Sequence, residues 1–288
     1  MDYTLVLVIQ TLSMVATLFL LSVGLAVIFG MMRVINFAHG EFFMIGAYVA
    51  VLAVNHGVNF WLAAFLLAPL VVGLIGWVVE WAVIRWLYGR VIDTMLATWG
   101  LSLCMMGAVT LIFGNTVTGI SAPLGAVSIG RYSFSAYGLV LIVLAVVIFV
   151  ALYQLLRHTS VGLITRATMQ DPAITAVLGM EPRRVYSATF VSGAMLTGFA
   201  GALIAPMTSV TPTMGLAYIA KAFITVICAG PSVLTGTIMA SGLFGSMNSL
   251  VTFLSSPVLG EIALLGAAIL LLRFLPIGIT GRFKGRKI

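Results

Sequence analysis

From Phe60 to Val79 the chain reads FWLAAFLLAPLVVGLIGWVV, twenty residues without a charge. A helix needs about 20 such residues to cross the hydrocarbon core of a bilayer, because inside lipid every backbone polar group must find its partner within the segment. Comparable runs occupy 5–30, 36–55, 60–84, 95–113, 135–156 and 186–206, and a long glycine-interrupted stretch covers 216–275. The 288 residues are 62% hydrophobic and 7% charged. A soluble domain carries about 25% charged residues, so this composition excludes a soluble enzyme, a disordered chain and a fibrous repeat. The sequence predicts an all-α polytopic integral membrane protein in one domain, residues 1–288. About 8–9 transmembrane helices are expected, some broken or re-entrant, with a possible internal repeat.

The formal net charge is +7. The arginines and lysines lie between apolar runs and in the tail, not in a stripe with interleaved aromatics, so nucleic acid is not a partner. Lipid is. By the positive-inside rule the linker with Arg85 and Arg90, the loop 157–184 and the basic tail 276–288 are cytoplasmic, and the N-terminus lies outside. Six crossings lead to residue 206, and three more are favoured after it. Met1-Asp2-Tyr3 lacks a cationic leader, which favours a retained first helix over a cleaved signal. Cys104 and Cys228 read as small buried side chains.

Two segments read as interrupted helices. One is Val34-Ile-Asn36-Phe-Ala-His39-Gly40-Glu41; the other is Val226-Ile-Cys-Ala-Gly230-Pro231-Ser232. Each has a β-branched pair, a glycine-containing break and then a second apolar helix. In transporters, broken segments at matching places of two repeats lie beside the substrate path. Asn36 is expected to cap a helix beginning near Phe37, with Glu41 in its first turn. His39 beside Gly40 has no capping role and is assigned to gating or lining a path. Among the other intramembrane charges, Glu80 is expected to pair with Arg85. Glu261 should cap a helix after Pro257, and Lys221 either snorkels or faces a partner or the path. The small residues of 193–202 read as a packing face.

No phosphate-binding loop, metal-ligand spacing or nucleophile motif occurs in the chain. No cofactor is expected, and energy for pumping has to come from elsewhere. The loop 157–184 is more informative. Asp171 suits an N-cap, Pro172 the first helical position and Gly179 the C-terminal stop, which predicts a two-turn helix with Ile174, Val177 and Leu178 on one side. So short a helix is marginal by itself. It is expected to be held by a docking partner, the alternative being the bilayer surface.

The stretch Arg33-Val-Ile-Asn36-Phe-Ala-His39-Gly40-Glu41-Phe-Phe-Met-Ile-Gly-Ala-Tyr48 resembles the signature of the permease subunits of ABC importers for branched-chain amino acids and their relatives. The loop Arg166-Ala-x-x-x-Asp171-Pro172…Leu178-Gly179, the following Arg184-Val-x-x-x-Thr189-Phe190 and the ending Leu275-Pro276-x-Gly278-Ile-x-Gly281-Arg282 are similar to the same family. The resemblance covers essentially the whole chain. It implies a periplasmic binding protein, a second related permease subunit and two cytoplasmic ATPases, with residues 172–178 fitting a cleft on an ATPase. Leu87 to Ser102 resembles the branch that carries urea and short amides more than the leucine branch. Ala229-Gly230-Pro231-Ser232-Val233 departs from the glycine-rich run that the family has there.

The resemblance therefore implies an importer subunit of the bacterial inner membrane for branched-chain amino acids or related small polar solutes. A proton-coupled secondary transporter or channel using Glu41, Glu80 or Glu261 is the competing reading. It is weakened because these acids fall near span ends rather than at mid-bilayer.

Overall fold

The computed structural model describes residues 2–32, 34–129 and 132–281. Arg33, Arg131 and the basic end of the tail from Arg282 onward lie outside the described residues. Eleven helices follow in order: α1 (Asp2–Met32), α2 (His39–Asn55), α3 (Phe60–Trp86), α4 (Val91–Phe113), α5 (Ala136–His158), α6 (Ser160–Gln170), α7 (Pro172–Val177), α8 (Pro182–Ile204), α9 (Met214–Ala229), α10 (Val233–Leu254) and α11 (Pro257–Phe274). Among the described residues seven of them are long and apolar enough to span a membrane, while α2 and α9 are apolar but shorter, at 17 and 16 residues. Each apolar run of the sequence forms a helix over most of its length, and 216–275 divides into three.

Several local expectations are corrected. The connection 114–134 contains an antiparallel hairpin, β1 (Ala126–Ile129) and β2 (Tyr132–Ser135), paired from Ala126 with Ser135 to Ile129 with Tyr132. The loop 157–184 holds a second helix, α6, whose N-cap Thr159 accepts from the Gly162 N–H. Within α3 the turn Ala63–Leu67 is a π-helix, just ahead of Pro69. Proline offers no N–H to the turn before it, and a widened turn absorbs the mismatch. Cys104 is exposed rather than buried.

By internal contacts the chain forms two units, each assembled from separate segments. The larger takes Val23–Ser121 and Val150–Ala220. Its centre is α8 packed on α2 and α3, around a core that includes Ile28, Phe42, Val72 and Phe190. The small-residue face of α8 makes this approach possible. A β-carbon at Gly201 would collide with the Phe43 carbonyl, and one at Gly198 would stand 2.6 Å from the Val72 side chain.

The smaller unit takes Met1–Ser22, Ala122–Phe149 and Lys221–Ile288. Helices α10 and α11 pack together in it, α1 meets α10 where the Thr11 and Ser249 hydroxyls lie 3.0 Å apart, and Phe19 sets its ring edge-on to Phe149.

Here Glu261 is not the cap of α11. Ser256 is, accepting from the Leu259 N–H. Glu261, a turn further on, takes the Lys221 ammonium at 2.6 Å. Pairing explains how α9 carries a lysine through otherwise apolar sequence. In the larger unit Glu80 is not held by Arg85. Its Oε1 accepts from the Tyr88 hydroxyl at 2.5 Å and its Oε2 from Ser187 at 2.9 Å, while the Arg85 guanidinium stacks over Trp86. Tyr88, on the connection after α3, has its hydroxyl pushed up from its ordinary pKa by burial, reinforced by the Glu80 hydrogen bond.

A buried polar cluster and an exposed two-turn helix

Helix α4 turns the usual pattern inside out. Its buried residues are Thr94, Thr98, Ser102 and Val109, whereas Ile92, Leu96, Trp99, Leu103 and Leu111 are exposed. Three hydroxyls at four-residue spacing form one face. A helix with an apolar outside and a polar inside is suited to lipid, with hydroxyls reserved for contacts inside the protein.

That face meets the start of α2. The chain between α1 and α2 is non-helical at 34–38, yet Asn36 and Ala38 are fully buried. Each buried N–H there needs a partner. The Phe37 N–H donates to Thr98 Oγ1 at 3.1 Å, the Ala38 N–H to Asn36 Oδ1 at 3.0 Å, and the His39 N–H to the Asn36 carbonyl at 3.3 Å. Helix α2 therefore begins at His39 rather than near Phe37. Asn36 closes the turn before the helix, and the N-cap position belongs to Ala38, which makes no side-chain cap.

Glu41 lies in the first turn of α2, 1% exposed. Its Oε1 accepts from Ser102 Oγ at 2.9 Å, and its Oε2 has no hydrogen-bond partner among the described residues. Asn36 Nδ2 is in the same condition. His39 Nδ1 lies 3.3 Å from Thr197 Oγ1 of α8. Gly40 allows α9 to approach: a β-carbon on it would sit 2.3 Å from the Gly215 carbonyl oxygen, and one on Gly215 would sit 2.7 Å from Glu41 Oε2. Among the described residues the cluster thus holds an acceptor and a donor without partners, a few residues apart. Such groups are costly unless something visits them.

Asn36, His39, Gly40 and Glu41 are thus gathered with Thr98, Ser102, Thr197 and Gly215, four residues that the sequence reading did not single out. The spacing Thr94-x3-Thr98-x3-Ser102 was the available signal for two of them. Nothing in sequence marked Thr197 or Gly215, because their role comes from facing α2 across chain separations of more than 150 residues.

Gly230 and Pro231 belong to the smaller unit. Helix α9 stops at Ala229, Gly230 takes φ +81°, and Pro231 is exposed. The segment after α11 folds against this break. The Ile279 N–H donates to the Cys228 carbonyl at 2.8 Å, Thr280 Oγ1 donates to the Ala229 carbonyl at 2.6 Å, and the Ser232 N–H donates to Thr280 Oγ1 at 3.1 Å.

In the loop after α5, Asp171 Oδ1 accepts from the Ala173 and Ile174 N–H groups at 2.8 and 3.1 Å. Pro172 opens α7 and Gly179 ends the turn at φ +83°. Leu178 is the C-cap rather than part of the helix. Ile174, Val177 and Leu178 are 61%, 88% and 73% exposed, while Thr175 is buried. Arg166, on α6, donates to the Gly162 carbonyl of its own helix. The described residues contain no cluster of His, Cys, Asp or Glu able to hold a metal.

A family profile described as branched-chain amino acid transport system, permease component, matches residues 7–273. The chain is 28% identical to the high-affinity branched-chain amino acid transport system permease protein BraD of Pseudomonas aeruginosa, over 95% of this chain and 94% of that one. It is 26% identical to LivH of Escherichia coli K12, over 95% and 94%. It is 27% identical to a probable branched-chain amino acid transport permease, LivH, of Methanocaldococcus jannaschii, over 92% and 88%. No solved structure matches the chain significantly.

Proposed function

This chain belongs to the branched-chain amino acid transport permease family, and we propose that it is the membrane-spanning permease subunit of an ATP-driven importer. As a member it is a multi-pass transport permease, not a catalytic enzyme. On our reading it moves branched-chain amino acids, or related small polar solutes such as urea and short amides, across the bacterial inner membrane. It takes solute from a periplasmic binding protein and is driven by two cytoplasmic ATPase subunits, beside a second, related permease subunit in a heterodimer. The N-terminus lies outside and the C-terminus inside, with the whole chain acting as one permease domain.

The observation that carries the reading is α7. It is a helix of six residues, capped at both ends, that presents Ile174, Val177 and Leu178 outward. Caps of this kind contribute about 1 kcal/mol each and hold a shape that the segment could not keep alone. A rigid apolar knob fits a cleft on a neighbouring subunit, so conformational change there is transmitted to α6 and α8 through Arg166, Asp171 and Pro172 at one end and Gly179 at the other. We assign Asn36, His39, Gly40 and Glu41, and separately Gly230 and Pro231, to translocation or its gating.

The test is uptake by the purified assembly in vesicles. Uptake should require nucleotide hydrolysis, and Leu178→Asp or Gly179→Pro should leave insertion intact while abolishing uptake. The buried Glu41 carboxylate gives the proton-coupled reading its one foothold. Uptake that survives without hydrolysis and collapses with the proton gradient would select that reading instead.

A further inference from the structure

The larger unit contains an apolar groove with no role in the assignment above. It is bounded by the end of α1, the end of α5, α6 and the first half of α8, and it has a volume of about 430 Å³. Val27, Met31, Leu155, Ile164 and Leu196 are among its walls, Ala188 lies along its length, and Arg184 stands at one end. We propose that this groove is a binding site for an anionic phospholipid, one acyl chain lying along α8 and the headgroup phosphate meeting Arg184.

Length favours this occupant. From Arg184 to Leu196 the lining follows α8 for twelve residues, about 18 Å at the helical rise. Half of a bilayer's hydrocarbon core is about 15 Å.

Charge selects the headgroup. Arg157 ends α5, Arg166 lies on α6, and Arg183 and Arg184 open α8, all exposed. Against these stand Asp171, occupied in capping α7, and Glu181, which meets Arg184 Nε at 2.6 Å. Positive charge thus gathers on the elements that frame the groove, where anionic headgroups are attracted by about 1 kcal/mol per basic residue.

The experiment uses the full chain, purified and reconstituted in vesicles of phosphatidylcholine alone or with about one-fifth phosphatidylglycerol. Lipid retained after detergent exchange is identified by mass spectrometry. The wild type should retain phosphatidylglycerol well above its share of the vesicle. Arg184→Gln, at a solvent-exposed position, should cut that preference about fivefold. Glu181→Gln should raise it, and Ala188→Trp should expel lipid of either headgroup. Inorganic phosphate should not displace the lipid, because the chain carries much of the affinity. The proposal falls if phosphatidylglycerol is not enriched, if Arg184→Gln and Ala188→Trp leave retention unchanged, or if free phosphate competes fully. It also falls if a cross-linker placed at Ala188→Cys captures protein rather than lipid.

Discussion

The two glycine breaks at 34–41 and 226–232 share a pattern in sequence and differ in construction. The first is a buried loop whose N–H groups are met by side chains: Thr98 and Asn36 take the Phe37 and Ala38 amides. Its glycine, Gly40, is inside a helix and serves close approach. The second break is a left-handed turn at Gly230, closed by two backbone hydrogen bonds to the segment 277–281 and by the Thr280 hydroxyl. There Gly230 and Gly278 both take positive φ, and a β-carbon on either would press on the other's neighbourhood, 2.6 Å from the Ile277 oxygen in one case and 2.6 Å from Gly230 Cα in the other. The same local pattern can thus be satisfied by polar side chains of the loop and a facing helix or by a returning segment that lends both its backbone and one hydroxyl. Among the described residues, only the first leaves an unpartnered donor and acceptor in its interior.

The largest expected effect is at Gly40. Gly40→Ala places a methyl group against a backbone carbonyl that cannot turn aside, and overpacking of this kind costs about 3 kcal/mol. A steep fall in folded yield and melting temperature is expected. An unchanged melting curve would show that α2 and α9 can separate freely. Next comes Gly230→Ala, where the left-handed backbone alone costs about 1–2 kcal/mol. Because Gly230 and Gly278 make room for each other, the double alanine variant should lose less than the two single losses combined. Strict additivity would mean that the two glycines do not share one contact.

Smaller still is Thr280→Val, which removes the hydroxyl bridging Ala229 and Ser232 and should cost about 1 kcal/mol, restored by Thr280→Ser. A loss of the same size in Thr280→Ser would locate the effect in packing rather than hydrogen bonding. The least global change is Asp171→Ala. Loss of this cap should loosen α7 by about 1 kcal/mol without moving the melting temperature, since α7 is a local unit. Amide exchange of Ala173 and Ile174 would report it. Unaltered exchange would mean that contacts other than the cap hold the helix.

Much of this was legible beforehand, for identifiable reasons. Caps are local: Asp171, Pro172 and Gly179 are close neighbours in the chain, and the structure forms the helix they announce. Long apolar runs are also local, so the helices of 60–86 and 136–158 could be read directly. Partner choice was not local. Glu80 had Arg85 within reach in sequence, yet it takes Tyr88 and Ser187, the latter 107 residues away. Glu261 was read as a cap because Pro257 and Gly260 were adjacent, whereas its partner Lys221 is 40 residues back. The hairpin at 126–135 was missed because two strands of four residues barely differ in composition from a loop.

The amino-acid sequence alone determined that this chain lives in lipid, where its long apolar helices run, and that a capped apolar knob stands in its longest basic loop. These follow from interactions between residues within a few turns of one another. Tertiary structure decided which polar groups are buried together, why Gly40 and Gly215 must lack side chains, and that an apolar groove opens along α8. Each of these depends on surfaces brought together from distant parts of the chain. No local pattern records which helix face will meet which.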